Sequence, residues 1–117
     1  MNRNYRIHYD KQYDRLMIAG KTDDDKIAGS VRILNVILDF NTEKKVVNAE
    51  LLHASEYLES LGLESSILEN VKQGALSFQQ LRNGYEIIFL LKEGKKTVSI
   101  PYNVQMPTQK QITITSA

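Results

Sequence analysis

The stretch that decides the fold begins with YDKQYDRLMI (residues 9–18), continues with VILDF (36–40) and ends with VVNAELLHAS (46–55). Its apolar segments have the lengths and residue types of β-strands. Short polar segments rich in Asp, Asn and Lys separate them, as is typical of turns. The stretch therefore predicts strand, acidic turn, strand, loop, strand, turn and strand, followed by the start of a helix.

The composition is that of a small globular domain. A chain of 117 residues with 42% hydrophobic and 25% charged residues has the size and make-up of a single domain spanning 1–117. The net charge is +1, which argues against a general binder of nucleic acids or membranes, because such proteins carry a basic excess. The chain has no cysteine, which excludes disulfides and thiolate chemistry.

The sequence predicts neither a membrane-spanning helix nor a signal peptide. No segment approaches the roughly 18 consecutive apolar residues of a membrane-spanning helix, so we expect no membrane among the partners. The first residues, MNRNY, lack the apolar core of a signal peptide. A cytoplasmic location is therefore expected.

Four strands are predicted in the first half of the chain, between about residues 5 and 53. They lie at about residues 5–9, 16–18, 31–40 and 46–51. The third is the strongest, and it is apolar on both faces, which is typical of a central strand. The polar segment 21–26 between the second and third strands predicts a solvated loop.

A short helical hairpin is predicted at residues 54–72. The apolar stripe of its first helix, at spacings i, i+3, i+4 and i+7, consists of Ala54, Tyr57, Leu58 and Leu61. Gly62 follows as the expected C-terminal glycine. Ser66 with Glu69 three residues later predicts a capping box at the start of the second helix.

Strand periodicity returns at residues 75–104. The turn signals Asn83-Gly84 and Glu93-Gly94 divide this region into three strands that form a meander. Pro101 cannot donate a backbone hydrogen bond, so its strand is expected at an edge or at a bulge. Residues 105–117 are polar and are predicted to be a tail, with a final edge strand as the alternative.

These elements together predict an α+β fold. We expect an antiparallel sheet of about seven strands, built as a four-stranded meander, a short helical hairpin and a three-stranded meander. The stripe that contains Leu58 would pack the helices on one face of this sheet.

Short motifs in the first half of the chain carry a family resemblance. They are Tyr9-Asp10, Asp14, Leu16, Ile18, Val36-Ile37-Leu38-Asp39, Glu50-Leu51-Leu52 and Ala54-Ser55. In this order they resemble the uncharacterised prokaryotic family catalogued as domain of unknown function 2283. The chain departs from it at Met17, Asn48 and His53, where tyrosine, glycine and aspartate are usual. Because some members look like small partners encoded beside toxin-like proteins, the resemblance implies a protein-binding role, and it implies no catalytic residue.

One group of polar residues is suited to catalysis or metal binding. It consists of His8, Asp39, Glu50 and His53. Pairing between strands could bring an imidazole and carboxylates together as metal ligands or as an acid–base pair. The alternative is a structural role for each side chain, because their spacing matches no known ligand motif. A small metal-assisted or acid–base enzyme using His53, Glu50 and Asp39 is therefore one hypothesis.

Two further acidic groups have structural alternatives. Asp10 and Asp14 flank a turn, where they could form a carboxylate pair for a metal or for acid–base work. The alternative is that Asp10 accepts hydrogen bonds from backbone N–H groups of the turn. The run Asp23-Asp24-Asp25 could attract a hard cation, but it lacks the spacing of a calcium loop. A solvated loop is the alternative for this run.

A basic cluster is predicted at the tip of the last hairpin. It consists of Lys92, Lys95 and Lys96, to which Arg3, Arg6 and Arg32 could add charge and Tyr85 and Tyr102 could add stacking surfaces. Weak nucleic-acid binding is one interpretation. The alternative is a solvated tip whose tyrosines pack within the sheet.

The leading hypothesis for function is a non-enzymatic interaction module. The sequence has no G-x-S-x-G, G-x-G-x-x-G or Walker A pattern, so no cofactor is predicted. Apolar strand residues exceed what two short helices can cover. We therefore expect the protein to form a homo-oligomer or to bind a small protein partner through a face or edge of the sheet, with the enzyme and the nucleic-acid binder as alternatives.

Overall fold

The computed structural model describes residues 3–105, which form two antiparallel β-sheets and two short helices. The strands are β1 (Arg6–Asp10), β2 (Arg15–Ala19), β3 (Ile27–Ile33), β4 (Val36–Asn41), β5 (Val46–Leu52), β6 (Gln73–Leu81), β7 (Gly84–Glu93) and β8 (Lys96–Gln105). The helices are α1 (Ala54–Ser60) and α2 (Ile67–Asn70). The sheet-rich α+β character predicted from the sequence is confirmed. Apart from Gln105, the predicted tail lies outside the described residues.

The first sheet has five strands in the order β1-β2-β5-β4-β3, and every neighbouring pair is antiparallel. The chain leaves β2, crosses to the far edge to form β3, and returns through β4 to place β5 beside β2. The second sheet has three strands in the order β6-β7-β8. The predicted single sheet of about seven strands and its four-stranded meander are therefore wrong, because periodicity identifies strands but does not fix their order.

The second sheet is the meander that the sequence predicts. Residues 82–83 join β6 to β7, one residue before the expected turn pair. Residues 94–95 join β7 to β8, and Gly94 has a φ of 60° that glycine adopts at little cost. Pro101 lies in β8, which is an edge strand as predicted.

The predicted strand 31–40 is two strands in the structure, separated by a tight turn at Leu34 and Asn35. Leu34 has a φ of 53°, a left-handed conformation that leucine rarely adopts. The Asn35 N–H donates to the Tyr102 hydroxyl at 3.0 Å, and the Asn35 carbonyl accepts from the Leu52 N–H at 2.7 Å. The prediction failed because these tertiary contacts hold a turn that contains neither glycine nor proline.

The hydrophobic core lies between the two sheets. Its buried members are Leu16, Ile18, Val36, Leu38, Ala49 and Leu51 from the first sheet, Ile87, Phe89, Leu91, Ile100 and Tyr102 from the second, and Ala54, Leu58, Ile67 and Leu68 from the helices. Burying a leucine or phenylalanine side chain stabilises the fold by about 1.5–3 kcal/mol, so this layer dominates folding. The prediction that the helices alone pack on one face of the sheet is therefore wrong. The second sheet covers the inner face of the first sheet, and the helices contribute Ala54, Leu58, Ile67 and Leu68 to the core between them.

Of the two predicted helix ends, the C-terminal end of α1 is confirmed and the N-terminal capping box of α2 is not. Gly62 has a φ of 77°, and the N–H groups of Gly62 and Leu63 each donate at 3.0 Å to a carbonyl of the last turn of α1. This arrangement confirms the predicted C-terminal glycine. The predicted capping box is wrong, because the Ser66 side chain makes no capping hydrogen bond and α2 has only four residues. Between residues 3 and 105, no helix is long and apolar enough to cross a membrane.

Candidate functional site

The first sheet presents a polar surface on the side away from the second sheet, which we call the outer face. Alternate residues of each strand point away from the core, and this places three of the four predicted site residues on the outer face. Asp39 in β4 lies opposite Asn48 in β5, with Glu50 two residues further along β5. His8 in β1 lies on the same face, so the sheet collects these polar groups on one surface.

Asp39 is held in a hydrogen-bonded network across three strands. Its carboxylate accepts from the Ser30 hydroxyl at 2.6 Å and from the Asn48 side-chain amide at 3.0 Å. The Asn48 side-chain oxygen accepts in turn from the N–H groups of Gly20 and Lys21, each at 3.2 Å. Asp39 therefore connects β3, β4 and β5, and through Asn48 it orients the start of the loop that follows β2.

Glu50 is paired with an arginine and not with a histidine. Its Oε1 lies 2.9 Å from Nε of Arg15, and the two side chains are 21% and 42% exposed. These two atoms are shielded from solvent, and the N–H is not aligned for a hydrogen bond, so charge attraction holds the pair. Met17 lies between Glu50 and His8 in the register, which keeps the imidazole one strand away from the carboxylate.

The outer face has no deep pocket at this point. A shallow depression of about 200 Å³ is lined mainly by Met17, Ala19, Ile37, Asp39, Asn48 and Glu50. Small-molecule sites usually enclose roughly 300–1,000 Å³. Across residues 3–105, no three His, Cys, Asp or Glu side chains are grouped so that they could hold a metal ion.

His53 lies apart from the outer face. It is the N-cap residue of α1, with a left-handed φ of 54°, and its side chain makes no capping hydrogen bond. Its Nδ1 lies 3.0 Å from a carboxylate oxygen of Glu56, and the imidazole is 63% exposed. In the part of the chain that the structure describes, no hydrogen bond or ion pair joins His53 to Asp39 or Glu50. The structure does not bring together the three residues of the enzyme hypothesis.

Asp10 and Asp14, which flank the first turn, have separate roles. Asp10 accepts from the backbone N–H groups of residues 12 and 13 at 3.1 and 3.3 Å, which is the turn chemistry expected of aspartate. The Asp14 carboxylate accepts from the Tyr9 hydroxyl at 2.5 Å, from the Ser55 N–H at 2.9 Å and from the Ser55 hydroxyl at 2.7 Å. Asp14 therefore caps α1 from a position 41 residues earlier in the chain than Ser55.

The cap changes the acidity of both of its ionisable groups. Burial raises the pKa of Asp14, but the hydrogen bonds from Tyr9 and Ser55 outweigh it, so the net effect is a lowered pKa. Burial raises the pKa of Tyr9 to about 12, and the hydrogen bond to Asp14 adds to the effect. Near neutral pH the carboxylate is therefore charged and the phenol is protonated, as the hydrogen bond between them requires.

Asp25 is the member of the acidic run 23–25 that has a structural role in the loop between β2 and β3. Its carboxylate lies 2.6 Å from the Arg3 guanidinium and accepts from the Thr22 N–H at 2.8 Å and from the Asn41 side-chain amide at 2.9 Å. The hydrogen bond from Arg3 holds the pKa of Asp25 well below its usual range. Asp25 thus fixes the crossing loop to Arg3 and to Asn41 of β4, whereas the other two aspartates of the run are exposed.

The basic cluster lies where the sequence predicts it. Lys92, Lys95 and Lys96 are exposed at the tip of the β7–β8 hairpin. The two tyrosines are engaged elsewhere, because Tyr102 is buried and Tyr85 stacks on Phe78 at 5.4 Å between ring centroids. The arginines are spread too, since Arg3 binds Asp25 and the Arg6 guanidinium donates to the Lys21 carbonyl at 3.2 Å. The cluster therefore lacks the aromatic stacking surfaces on which the nucleic-acid hypothesis relied.

The free edge of β3 is a candidate binding feature whose position the sequence did not reveal. β3 pairs only with β4, and six of its seven residues are exposed. The first sheet is wider than the second, so Val31 is 45% exposed although its cross-strand neighbour Leu38 is buried. An apolar groove follows this edge, lined by Ala28, Gly29, Ser30, Val31, Phe40, Asn41 and Lys44. The sequence pattern predicts residues 31–40 to be one central strand. The turn at Leu34 and Asn35 divides this segment, so that its first part, in β3, lies at the edge of the sheet.

The other strand edges are better protected. β1 carries Arg6 and His8 and packs beside β6, where Ile7 lies against Gly74. Pro101 interrupts β8, and its carbonyl accepts a hydrogen bond from the Tyr57 hydroxyl. Charges, prolines and covering elements are the usual protection of strand edges against unwanted pairing. β6, the remaining edge strand, packs beside β1 at Gly74 but is exposed at residues 79–81. In the described part of the chain, β3 is therefore the edge strand that is exposed over most of its length.

Comparisons with known proteins give no relative for this chain. No family model matches it, and neither a curated protein nor a solved structure is significantly similar to it.

Proposed function

We propose that the protein is a non-enzymatic protein-interaction module that adds an extended strand of a protein partner to the free edge of β3. The observation that carries this proposal is the exposure of β3, a seven-residue strand with six exposed residues. A strand added at such an edge gains main-chain hydrogen bonds from the unpaired N–H and C=O groups. Alternate side chains next to the edge then determine which partner is accepted.

The side chains of β3 support strand addition. Ile27 and Val31 are 41% and 45% exposed, and Leu34 in the adjoining turn is 70% exposed. Arg32 is the one charged residue in the strand, whereas edges that must stay unpaired usually carry several charges or a proline. Covering these apolar side chains would favour binding by about 25 cal/mol for each Å² removed from water.

The polar groups of the outer face fit a structural role better than catalysis. Glu50 is paired with Arg15, and Asp39 holds Ser30 and Asn48 across the sheet. Groups engaged in this way are poorly placed to act as a general base or to bind a metal. The family resemblance implies protein binding as well, which agrees with an interaction module.

Two lysine substitutions test the proposal. Val31→Lys places a charge on the free edge, while Thr97→Lys places one on the exposed, proline-containing strand β8 as a matched control. We expect the wild type and Thr97→Lys to form oligomers in light scattering or to retain a protein in pull-downs, and Val31→Lys to do neither. Thr97→Lys should unfold at the wild-type temperature, because its position is exposed. Val31→Lys should remain folded by circular dichroism and lose only the stability that association contributes. A monomeric wild type whose pull-down is the same as that of Val31→Lys would refute the proposal.

A further inference from the structure

We infer that the partner of β3 is a second copy of this chain, bound antiparallel to β3 with Val31 opposite Val31 of the other copy. This inference rests on the proposed function and specifies its partner. The two first sheets would then join into one continuous ten-stranded sheet around a twofold axis, because each contributes five strands. Three independent features of β3 select this register.

The first feature is the regular part of the strand. β3 has a bulge between Ile27 and Gly29, whereas Gly29–Ile33 pairs residue by residue with β4. A bulge interrupts the spacing of backbone groups that a new strand must match. Val31 is the midpoint of the regular segment, so a pairing centred on Val31 uses all of that segment and avoids the bulge.

The second feature is the pattern of faces. A twofold axis perpendicular to the sheet places residues of the same face opposite each other. The axis must therefore pass between one residue and the same residue of the other copy, and we name each possible axis by that residue. An axis at Arg32 would set two guanidinium groups directly opposite each other, and like charges in this position are unfavourable. An axis at Ser30 would pair Arg32 with Ala28 inside the bulge. An axis at Val31 avoids both faults and joins two exposed valines.

The third feature is charge complementarity. In the register centred on Val31, Arg32 lies opposite Ser30 of the other copy. The Ser30 hydroxyl donates to Asp39 at 2.6 Å, and Asp39 lies one strand further into the sheet on the same outer face. Two strand spacings separate Arg32 from this Asp39, about 10 Å between Cα atoms. Extended arginine and aspartate side chains together cover this distance, so each copy would bind the other through one ion pair, giving two in the dimer.

The contacts of the single chain leave both groups available for this pair. The Arg32 Nε donates to the Leu34 carbonyl at 3.0 Å, a local contact in an exposed turn. The two carboxylate oxygens of Asp39 each accept one hydrogen bond from a neutral donor, Ser30 or Asn48. Within residues 3–105 no lysine, arginine or histidine forms an ion pair with Asp39. An arginine from another copy would supply the counter-charge.

Disulfide trapping measures the register directly. The chain has no cysteine, so a single introduced thiol reports only on its own position. In the inferred register, opposed Cβ atoms lie about 5 Å apart, and Val31→Cys should form a dimer crosslink rapidly under mild oxidation. Ser30→Cys and Thr97→Cys serve as controls and should crosslink slowly, since Ser30 lies diagonal to its own copy. Faster crosslinking of Ser30→Cys than of Val31→Cys would overturn the register.

A double-mutant cycle on dimer dissociation tests the ion pairs. We expect Arg32→Ala to weaken the dimer by roughly two- to thirtyfold for two exposed pairs, Asp39→Asn to do the same, and the double variant to lose no more than either single variant. Factors that multiply in the double variant would show that the two groups do not meet. A wild type that stays monomeric, yet retains a protein that Val31→Lys loses, would overturn the second copy as partner and leave the proposed function standing.

Discussion

Replacing Asp14 with asparagine removes the negative charge from the cap that joins the first turn to α1. The carboxylate accepts three hydrogen bonds, from the Tyr9 hydroxyl and from the N–H and hydroxyl of Ser55, at distances of 2.5 to 2.9 Å. Asparagine has nearly the same shape, and it tolerates the left-handed φ of 54° at this position. The substitution therefore isolates the contribution of the charge.

The size of the effect follows from the three bonds. A hydrogen bond to a charged group contributes about 1.5–3 kcal/mol, and one between neutral groups about 0.5–1.5 kcal/mol. Each bond to Asp14 would thus lose about 1 kcal/mol, and partial solvent exposure reduces the total to about 2 kcal/mol. With an unfolding entropy of about 2.1 cal/mol/K for each of 117 residues, Tm should fall by about 8 °C.

The effect should depend on pH in one direction. Burial raises the pKa of Asp14, but the hydrogen bonds outweigh it and lower the pKa in the folded protein. The carboxylate therefore contributes its full stabilisation above the ordinary aspartate pKa of about 3.9, and loses it as pH falls through the lower folded value. We expect the stability difference between wild type and Asp14→Asn to be constant near neutral pH and to shrink below about pH 4.

Urea and thermal denaturation followed by circular dichroism measure this difference. Asp23→Asn is the matched control, since it makes the same chemical change at an exposed aspartate. Tyr9→Phe removes one of the three bonds and should cost about 1 kcal/mol. If Asp14→Asn were as stable as Asp23→Asn at neutral pH, the carboxylate would not hold α1 as described.

Three other predictions concern packing, metals and nucleic acids. Gly20→Ala should lower stability by about 1–3 kcal/mol, because its Cβ would lie 2.6 Å from the Tyr5 ring, whereas Gly29→Ala, with open space around it, should not. Equal denaturation midpoints for the two variants would contradict this packing. Divalent zinc or manganese should leave the Tm of wild type and of His53→Ala unchanged, and a rise confined to the wild type would revive the enzyme hypothesis. At low salt, single-stranded nucleic-acid probes should bind the wild type no better than a variant in which Lys95 and its neighbouring lysines are replaced by alanine. Binding to the wild type that depends steeply on salt and is lost in this variant would support the nucleic-acid hypothesis.

The sequence predicts individual elements better than their arrangement. Alternation identified the strands, and Gly62 identified the end of α1, because these signals depend on neighbouring residues. The break at Leu34 was missed because the turn is held by the Tyr102 hydroxyl, which lies 67 residues from Asn35 in the sequence. The position of β3 at the edge was missed for the same reason, since Asp25 fixes the crossing loop through Arg3 and Asn41.

The candidate sites divide along the same line. Turn chemistry correctly predicted that Asp10 accepts backbone N–H groups, which is a local interaction. It could not predict that Asp14 binds Ser55, because that contact requires β2 to lie beside β5. The three residues of the enzyme hypothesis do not meet, because His53 lies beyond the end of β5, whereas Asp39 and Glu50 lie on the outer face.

The crossing of the chain from β2 to β3 bears on the order in which the protein folds. The hairpin β1–β2 and the consecutive strands β3-β4-β5 close only short loops, whereas the pairing of β2 with β5 joins residues 15–19 to residues 48–52. Non-local pairings of this kind are the slow part of folding, so we expect this seam to close late. Asp14 and Ser55 lie at its end, and contacts formed after the transition state act mainly on the unfolding rate. The Asp14 carboxylate should then govern how long the native state lasts and have little effect on how fast it forms.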